Sequence, residues 1–244
     1  MEKLRGSWIQ IGETGSWIGI QSVATSNNEI ISIDSLGDLW ATNPETGKSR
    51  YVNKDKYTSS MFLLGTKNEL FSIDRDGTLW ITNTINGSYR QVGEFASYAH
   101  TIRAVMCGNN LISIEKSGSC YITYPNGEFK KINEDNFSNI QFIFSGEKMF
   151  YIIENNTLYS VNPETGKYVK LGGDGDYSNT KTGTGFNDKI VILETFGYLW
   201  EIDGISGAYS KISEETYLDT KMMIGSDNFL YTIEPTGCLY QIAL

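Results

Sequence analysis

Hydrophobic positions along this chain come in short runs, each about the length of a β-strand, and no stretch of about a dozen residues has the spacing of a helix. The runs repeat. An aromatic residue opens the same pattern six times, at Trp17, Tyr57, Tyr98, Phe137, Tyr177 and Tyr217, at spacings of 40, 41, 39, 40 and 40 residues. Seventeen residues after each opener stands an acid: Asp34, Asp74, Glu115, Glu154, Glu194 and Glu234. Self-similarity at a period near 40 predicts a repeat array, and it outranks any local motif in deciding the fold.

Within a unit the strongest stretch is that of the second copy, Asn68 to Trp80: two β-branched and aromatic runs separated by an acid-x-x-Gly turn, the signature of a hairpin. Gly37, Gly77, Gly118, Gly197 and Gly237 stand where a left-handed residue closes that turn, and the fourth copy, one residue shorter, has Asn155-Asn156 instead. A second turn (Asn43-Pro44-Glu45-Thr46-Gly47, Asn162-Pro163-Glu164-Thr165-Gly166) leads to a further run such as Ser88-Tyr89-Arg90-Gln91-Val92. With the run after the opener, this makes four strands per unit.

The second run of each unit is apolar on both faces, as in Ile30-Ile31-Ser32-Ile33 and Phe150-Tyr151-Ile152-Ile153. A strand apolar on both faces has to lie between neighbouring sheets. Four-stranded sheets packed face to face around an axis form a β-propeller, so the expected fold is all-β: a six-bladed β-propeller of four-stranded blades. The ends agree. The last copy, 217–244, stops after its third strand, and residues 6–12 match Gly87–Gly93, a fourth strand. The N-terminal strand is therefore predicted to close the last blade and leave no open edge at the seam. The uninterrupted repeat leaves no linker, so 1–244 reads as one domain.

Composition narrows the function. The net charge is −9, with no basic cluster beyond Lys130-Lys131, which argues against nucleic acid as a partner. The longest apolar runs are strand-length, so no membrane span is expected. Residues 1–5 lead straight into a strand the ring needs, with no hydrophobic segment of signal-peptide kind. Cys107, Cys120 and Cys238 are odd in number, fall in strand patterns and are assigned to different blades. They read as reduced residues of a cytoplasmic, monomeric protein.

The blade grammar resembles the short-blade propellers of the tachylectin and tectonin kind over essentially the whole chain. Leu79-Trp80, Leu158-Tyr159, Asn162-Pro163 with Gly166-Lys167-Tyr168, and Tyr177-Ser178-Asn179-Thr180 carry the likeness. The resemblance implies a sugar-binding or protein-binding protein. The chain departs from the lectin pattern in its tryptophans: Trp8, Trp17, Trp40, Trp80 and Trp200 occupy three kinds of position.

Three sets of residues are candidates for chemistry. The six acids lie on one face of the ring, either as a cation or ligand rim or as carboxylates that cap their own turns. The openers Trp17, Tyr57, Tyr98, Tyr177 and Tyr217 are either a platform for stacking sugars or packing between blades. Two and four residues after each opener the copies differ, giving His100, Asn139, Asn179 and Asp219, then Lys181 and Lys221. Strand alternation puts both sets on one face of the innermost strand, as a specialised tunnel rim or a solvated wall. Arg103 lies beside His100.

The leading expectation is a non-catalytic recognition module, with no cofactor, that binds a glycan or a protein partner at the mouth. A lectin would use the aromatics and acids, and a protein scaffold the patch His100, Arg103, Lys181 and Lys221. The alternative is a calcium-dependent hydrolase of the lactonase type. It would have Asn139, Asn179 and Asp219 as oxygen ligands of a tunnel Ca2+ and His100 as base. Minimal loops and the single histidine weigh against it.

Overall fold

The computed structural model describes residues 4–132, 136–226 and 228–244. These form six four-stranded antiparallel sheets arranged as a six-bladed β-propeller. The innermost strands are Ser22–Ser26, Ser60–Gly65, Thr101–Cys107, Ile140–Phe144, Thr180–Phe186 and Met222–Ser226, in blades 1 to 6. Each touches the next, and the sixth touches the first. In blades 1 to 5 the strands run outward in chain order.

Blade 6 closes as predicted. Trp8–Ile11 pairs antiparallel with Leu239–Ala243, with Trp8 opposite Ile242 and Ile11 opposite Leu239. Two further bonds, Gly6 N to Ala243 O at 2.8 Å and Ala243 N to Ser7 O at 2.9 Å, extend the pairing.

The double-sided runs behave as their composition demands. Ile30, Ile31, Leu70, Ile73, Leu111 and Ile112 on second strands are all 0–1% exposed. Among the described residues the buried apolar side chains form six clusters, one at each blade-to-blade interface. The core is thus six wedges around a ring, and each blade gives one face to each neighbour.

Turn chemistry follows the sequence. The five turn glycines have φ between +75° and +89°, and Asn155 and Asn156 have φ of +50° and +60°. Glu154 pairs directly with Thr157, so the fourth copy makes a two-residue turn in which both residues are left-handed. At the opposite end Asn43 Oδ1 accepts the N–H groups of Glu45 and Thr46 at 2.8 and 3.0 Å, and Asn162 does the same for Glu164 and Thr165.

The cysteine assignment needs one correction. Cys107 and Cys120 share blade 3, on its innermost and third strands, and Cys238 directly precedes the third strand of blade 6. All three are buried and unpaired. Cys107 and Cys120 both fall between the openers Tyr98 and Phe137, so the period of the repeat puts them in one blade.

Candidate functional site

The opener aromatics present no stacking face. Trp17, Tyr57, Tyr98, Phe137 and Tyr177 are 3–9% exposed, and each belongs to the apolar cluster between its own blade and the preceding one. Tyr217 is half-buried against the same kind of cluster. The hydroxyls of Tyr57 and Tyr98 are also engaged. Tyr57 Oη accepts from Asn53 Nδ2 at 2.9 Å and is hydrogen-bonded to the Thr82 hydroxyl at 3.2 Å, and Tyr98 Oη donates to Thr123 Oγ1 at 2.9 Å. Burial pushes the phenol of Tyr98 up, and burial with nearby Asp176 takes Tyr177 up to about 12. The physical reason is position: the loop entering each innermost strand tucks into the wedge between blades.

The expected tunnel rim is also rearranged, by a β-bulge. In blade 2 Ser60 pairs with Asp74 and Phe62 with Ile73, so Met61 has no partner of its own. Ile102, Gln141 and Lys181 bulge in the same way, and Gln21 and Lys221 stand just ahead of their strands. The residues two after each opener lie before the strand altogether, and His100, Asn139, Asn179 and Asp219 are in exposed turns. A bulge breaks the two-residue alternation, so the two sets share no strand face.

The lysines of this set join blades. Lys181 Nζ donates to the carbonyl of Leu218 at 2.6 Å, and Lys221 Nζ to that of Ile20 at 3.2 Å, in each case on the following blade. Arg103 Nη1 donates to its neighbour's carbonyl, Ile102 O, at 3.0 Å. His100 is exposed, and its carbonyl accepts the N–H of Lys116 at 2.9 Å. Blades 3 and 6 face each other across the ring, so His100 and Arg103 form no common patch with Lys221. Asn139, Asn179 and Asp219 do come from consecutive blades, each on its own exposed turn. Among the described residues no group of three or more His, Cys, Asp or Glu is placed to hold a metal.

The ring acids serve their own blades. Asp34 Oδ1 accepts the N–H groups of Leu36 and Asp38, both at 2.9 Å, and Oδ2 accepts the Trp40 indole N–H at 3.0 Å. Glu194 Oε2 accepts the Trp200 indole at 2.9 Å, and Asp74 Oδ1 the hydroxyl of Ser60 at 3.1 Å. Burial pushes the carboxyl of Glu154 up.

The feature the sequence reading missed lies on the two outer strands. Every blade carries an aromatic pair: Trp40–Tyr51, Trp80–Tyr89, Tyr121–Phe129, Tyr159–Tyr168, Trp200–Tyr209 and, across the seam, Tyr240–Trp8. Ring centroids are 4.4 to 6.2 Å apart and all six pairs meet edge to face. The register explains the contact. Trp80 stands opposite Gln91, two residues from Tyr89, so the rings are diagonal neighbours on one face of the sheet. Blade 1 differs, because Trp40 faces Tyr51 directly.

The outer ring of each pair is 44–65% exposed. Beside Tyr51 is an open depression of about 550 Å³ lined by Asp38, Val52, Asn53, Lys54 and Lys56. Bonds from Lys56 and Tyr51 hold the Asp38 carboxyl below its usual value, and the same bond takes the Tyr51 phenol up to about 12. The available signal was an aromatic 22 or 23 residues after every opener.

No protein-family model matches the chain, and no curated protein matches its sequence. Its likeness to solved structures is one of fold. A Bacteroides thetaiotaomicron protein of unknown function aligns with a TM-score of 0.65 and 12% identity, over 99% of this chain and 73% of that one. A catalytically inactive virginiamycin B lyase from Staphylococcus aureus, solved with quinupristin, aligns at 0.63 and 11%, over 98% and 99%. Saccharomyces cerevisiae Prp20p, studied for its binding to Gsp1p and histones, aligns at 0.59 and 12%, over 92% and 69%. One architecture thus serves a lyase and a protein binder, and function has to be argued from the site.

Proposed function

We propose that this protein is a non-catalytic recognition module that binds glycans through the aromatic pairs on its outer strands. The observation that carries the reading is the sixfold recurrence of a half-exposed aromatic ring held edge-on by a second ring. An aromatic ring with one apolar body and, in four of the six, a phenol tip suits a surface that meets a ligand with both apolar and polar faces. A pyranose ring has an apolar C–H face suited to an aromatic surface and hydroxyls suited to carboxylate and ammonium groups.

Blade 1 supplies both kinds of group, with Tyr51 beside Asp38, Lys54 and Lys56 around the depression. The resemblance of the blade grammar to tachylectin-type propellers supports the same ligand class. Equivalent sites around a ring favour low affinity per site and avidity on a displayed glycan. The three buried unpaired cysteines support a cytoplasmic location, and we propose a monomer that needs no cofactor. A glycan array probed with the intact chain tests it: a coherent set of bound glycans is expected, and a blank array contradicts it.

A further inference from the structure

At two loop positions above the mouth, the copies divide sharply. The residue after the opener is Ile18, Thr58, Ala99, Ser138, Ser178 and Leu218 in blades 1 to 6, and the second residue after the acid is Leu36, Asp76, Ser117, Asn156, Phe196 and Thr236. Large apolar side chains occur at these positions only in blades 5, 6 and 1. There they are open to solvent: Ile18 is 66% exposed, Leu36 68%, Phe196 62% and Leu218 52%.

The loops that carry them pack one on the next. Leu218 lies over Gly197, next to Phe196, where an added β-carbon would come within 2.9 Å of its Cγ. Ile18 lies over Gly237 in the same way, at 2.5 Å. Gly19, which follows Ile18, rests against Ser35, next to Leu36. The arc therefore runs from blade 5 across blade 6 to blade 1. Among the described residues Met61, Phe95 and Ile102 are also exposed hydrophobes of this end, at different positions on blades 2 and 3.

A second observation falls on the same loops. Only blades 5 and 6 have lysine four residues after the opener. Lys181 bonds to the carbonyl of Leu218 itself, and Lys221 to that of Ile20, two residues after Ile18. The copy-specific lysines thus hold the two loops that carry exposed aliphatic residues, which fixes the surface before any partner arrives and lowers the ordering cost of binding. Around the arc stand the carboxylates of Asp34, Glu194, Asp219 and Glu234. Asp34 and Glu194 also accept an indole N–H, and Glu234 a hydroxyl, of their own blades, bonds that leave their negative charge in place. Against these four are two ammonium groups, both donating to backbone carbonyls.

The geometry points to a protein-docking face over blades 5, 6 and 1 for a partner segment whose aliphatic or aromatic residues are flanked by lysine or arginine. A partner's basic residues complement the local carboxylates. A second copy of this chain, with net charge −9, would bring like charges together. The face is separate from the outer-strand aromatic pairs and does not depend on their binding glycans.

The test uses labelled synthetic peptides that alternate Leu or Phe with Lys, together with Ser–Lys and Leu–Glu counterparts, titrated against the full chain by fluorescence anisotropy. The Leu–Lys and Phe–Lys peptides are expected to bind, with hydrogen-exchange protection confined to residues 18–20, 34–38, 194–197 and 216–220. Leu218→Ser with Phe196→Ser is expected to weaken binding by about tenfold or more, as loss of central apolar anchors does, with the melting midpoint unchanged. Phe95→Ser, at the same end but outside the arc, is expected to leave binding intact. Equal binding of the Ser–Lys peptide shows mere charge attraction and overturns the proposal, as does protection on other blades. Concentration-dependent dimerisation abolished by Leu218→Ser also overturns it, in favour of a second copy.

Discussion

Trp8 packs edge-on against Tyr240, with ring centroids 5.2 Å apart and planes at 89°, joining residues from the two ends of the chain. It is the same pair that Tyr89 makes with Trp80 at 5.6 Å inside a single continuous blade. Ring closure and the outer aromatic ring therefore share one contact, and breaking the seam removes one of the six pairs.

Deleting residues 1–12 is expected to lower the melting midpoint and broaden the transition. The deletion strips the outer strand from Leu239–Ala243 and uncovers a β-edge that invites aggregation. Differential scanning calorimetry checks this. A truncated chain that melts like the full one would contradict closure through this strand.

Gly77→Val is expected to cost several times more stability than Thr78→Val. At Gly77 φ is +83° and an added β-carbon would sit 2.2 Å from Ala99 N, so backbone strain of about 1–2 kcal/mol comes on top of a clash. Thr78 is buried with an unbonded hydroxyl, and valine replaces that hydroxyl with a methyl. Urea midpoints of the two variants decide the matter, and similar losses would show that the turn does not need its left-handed residue.

Much of the fold was legible because its constraints are local and repeated. A turn that needs positive φ shows its glycine, as at Gly77 and Gly237, and a strand buried on both faces shows its run, as at Ile30–Ile33. The bulge at Met61 and Lys181 leaves no such mark, because an unpaired residue is defined by its partner strand and not by its own identity. Whether an aromatic is packed or presented is equally hidden. Tyr98 and Tyr121 are both regular in the repeat, yet the first enters the wedge between blades while the second sits half-buried on the outer half of its blade.

Glu154→Gln is expected to raise the melting midpoint at neutral pH. Burial raises this carboxyl's pKa above its ordinary value of 4.5, so the folded state favours the protonated form. The stability it contributes is present below the unfolded pKa and is lost as pH rises through the folded one. The variant's advantage should therefore vanish below about pH 4, where both states bind the proton. An advantage independent of pH would show that ionisation of Glu154 has no part in it.

Calcium is expected to leave the melting midpoint where it is. A bound ion would raise the midpoint with the logarithm of its excess over Kd, and a chelator would reverse the rise. Such a rise, removed by Asn179→Ala or Asp219→Ala, would revive a metal site on the turns of blades 4 to 6.

The most direct measurement compares glycan-array binding of the intact protein with that of a variant carrying Tyr51→Ser, Tyr89→Ser, Tyr168→Ser and Tyr209→Ser. These rings are 44–65% exposed, so their removal is expected to leave the fold in place, as circular dichroism can confirm. Each edge-to-face pair contributes only about 0.5–1.5 kcal/mol beyond its buried area. The account predicts that the intact protein binds a defined glycan set and that the variant loses this binding by about two orders of magnitude on the multivalent surface. A folded variant that binds the same glycans equally well would contradict the outer-strand aromatic pairs as the recognition site.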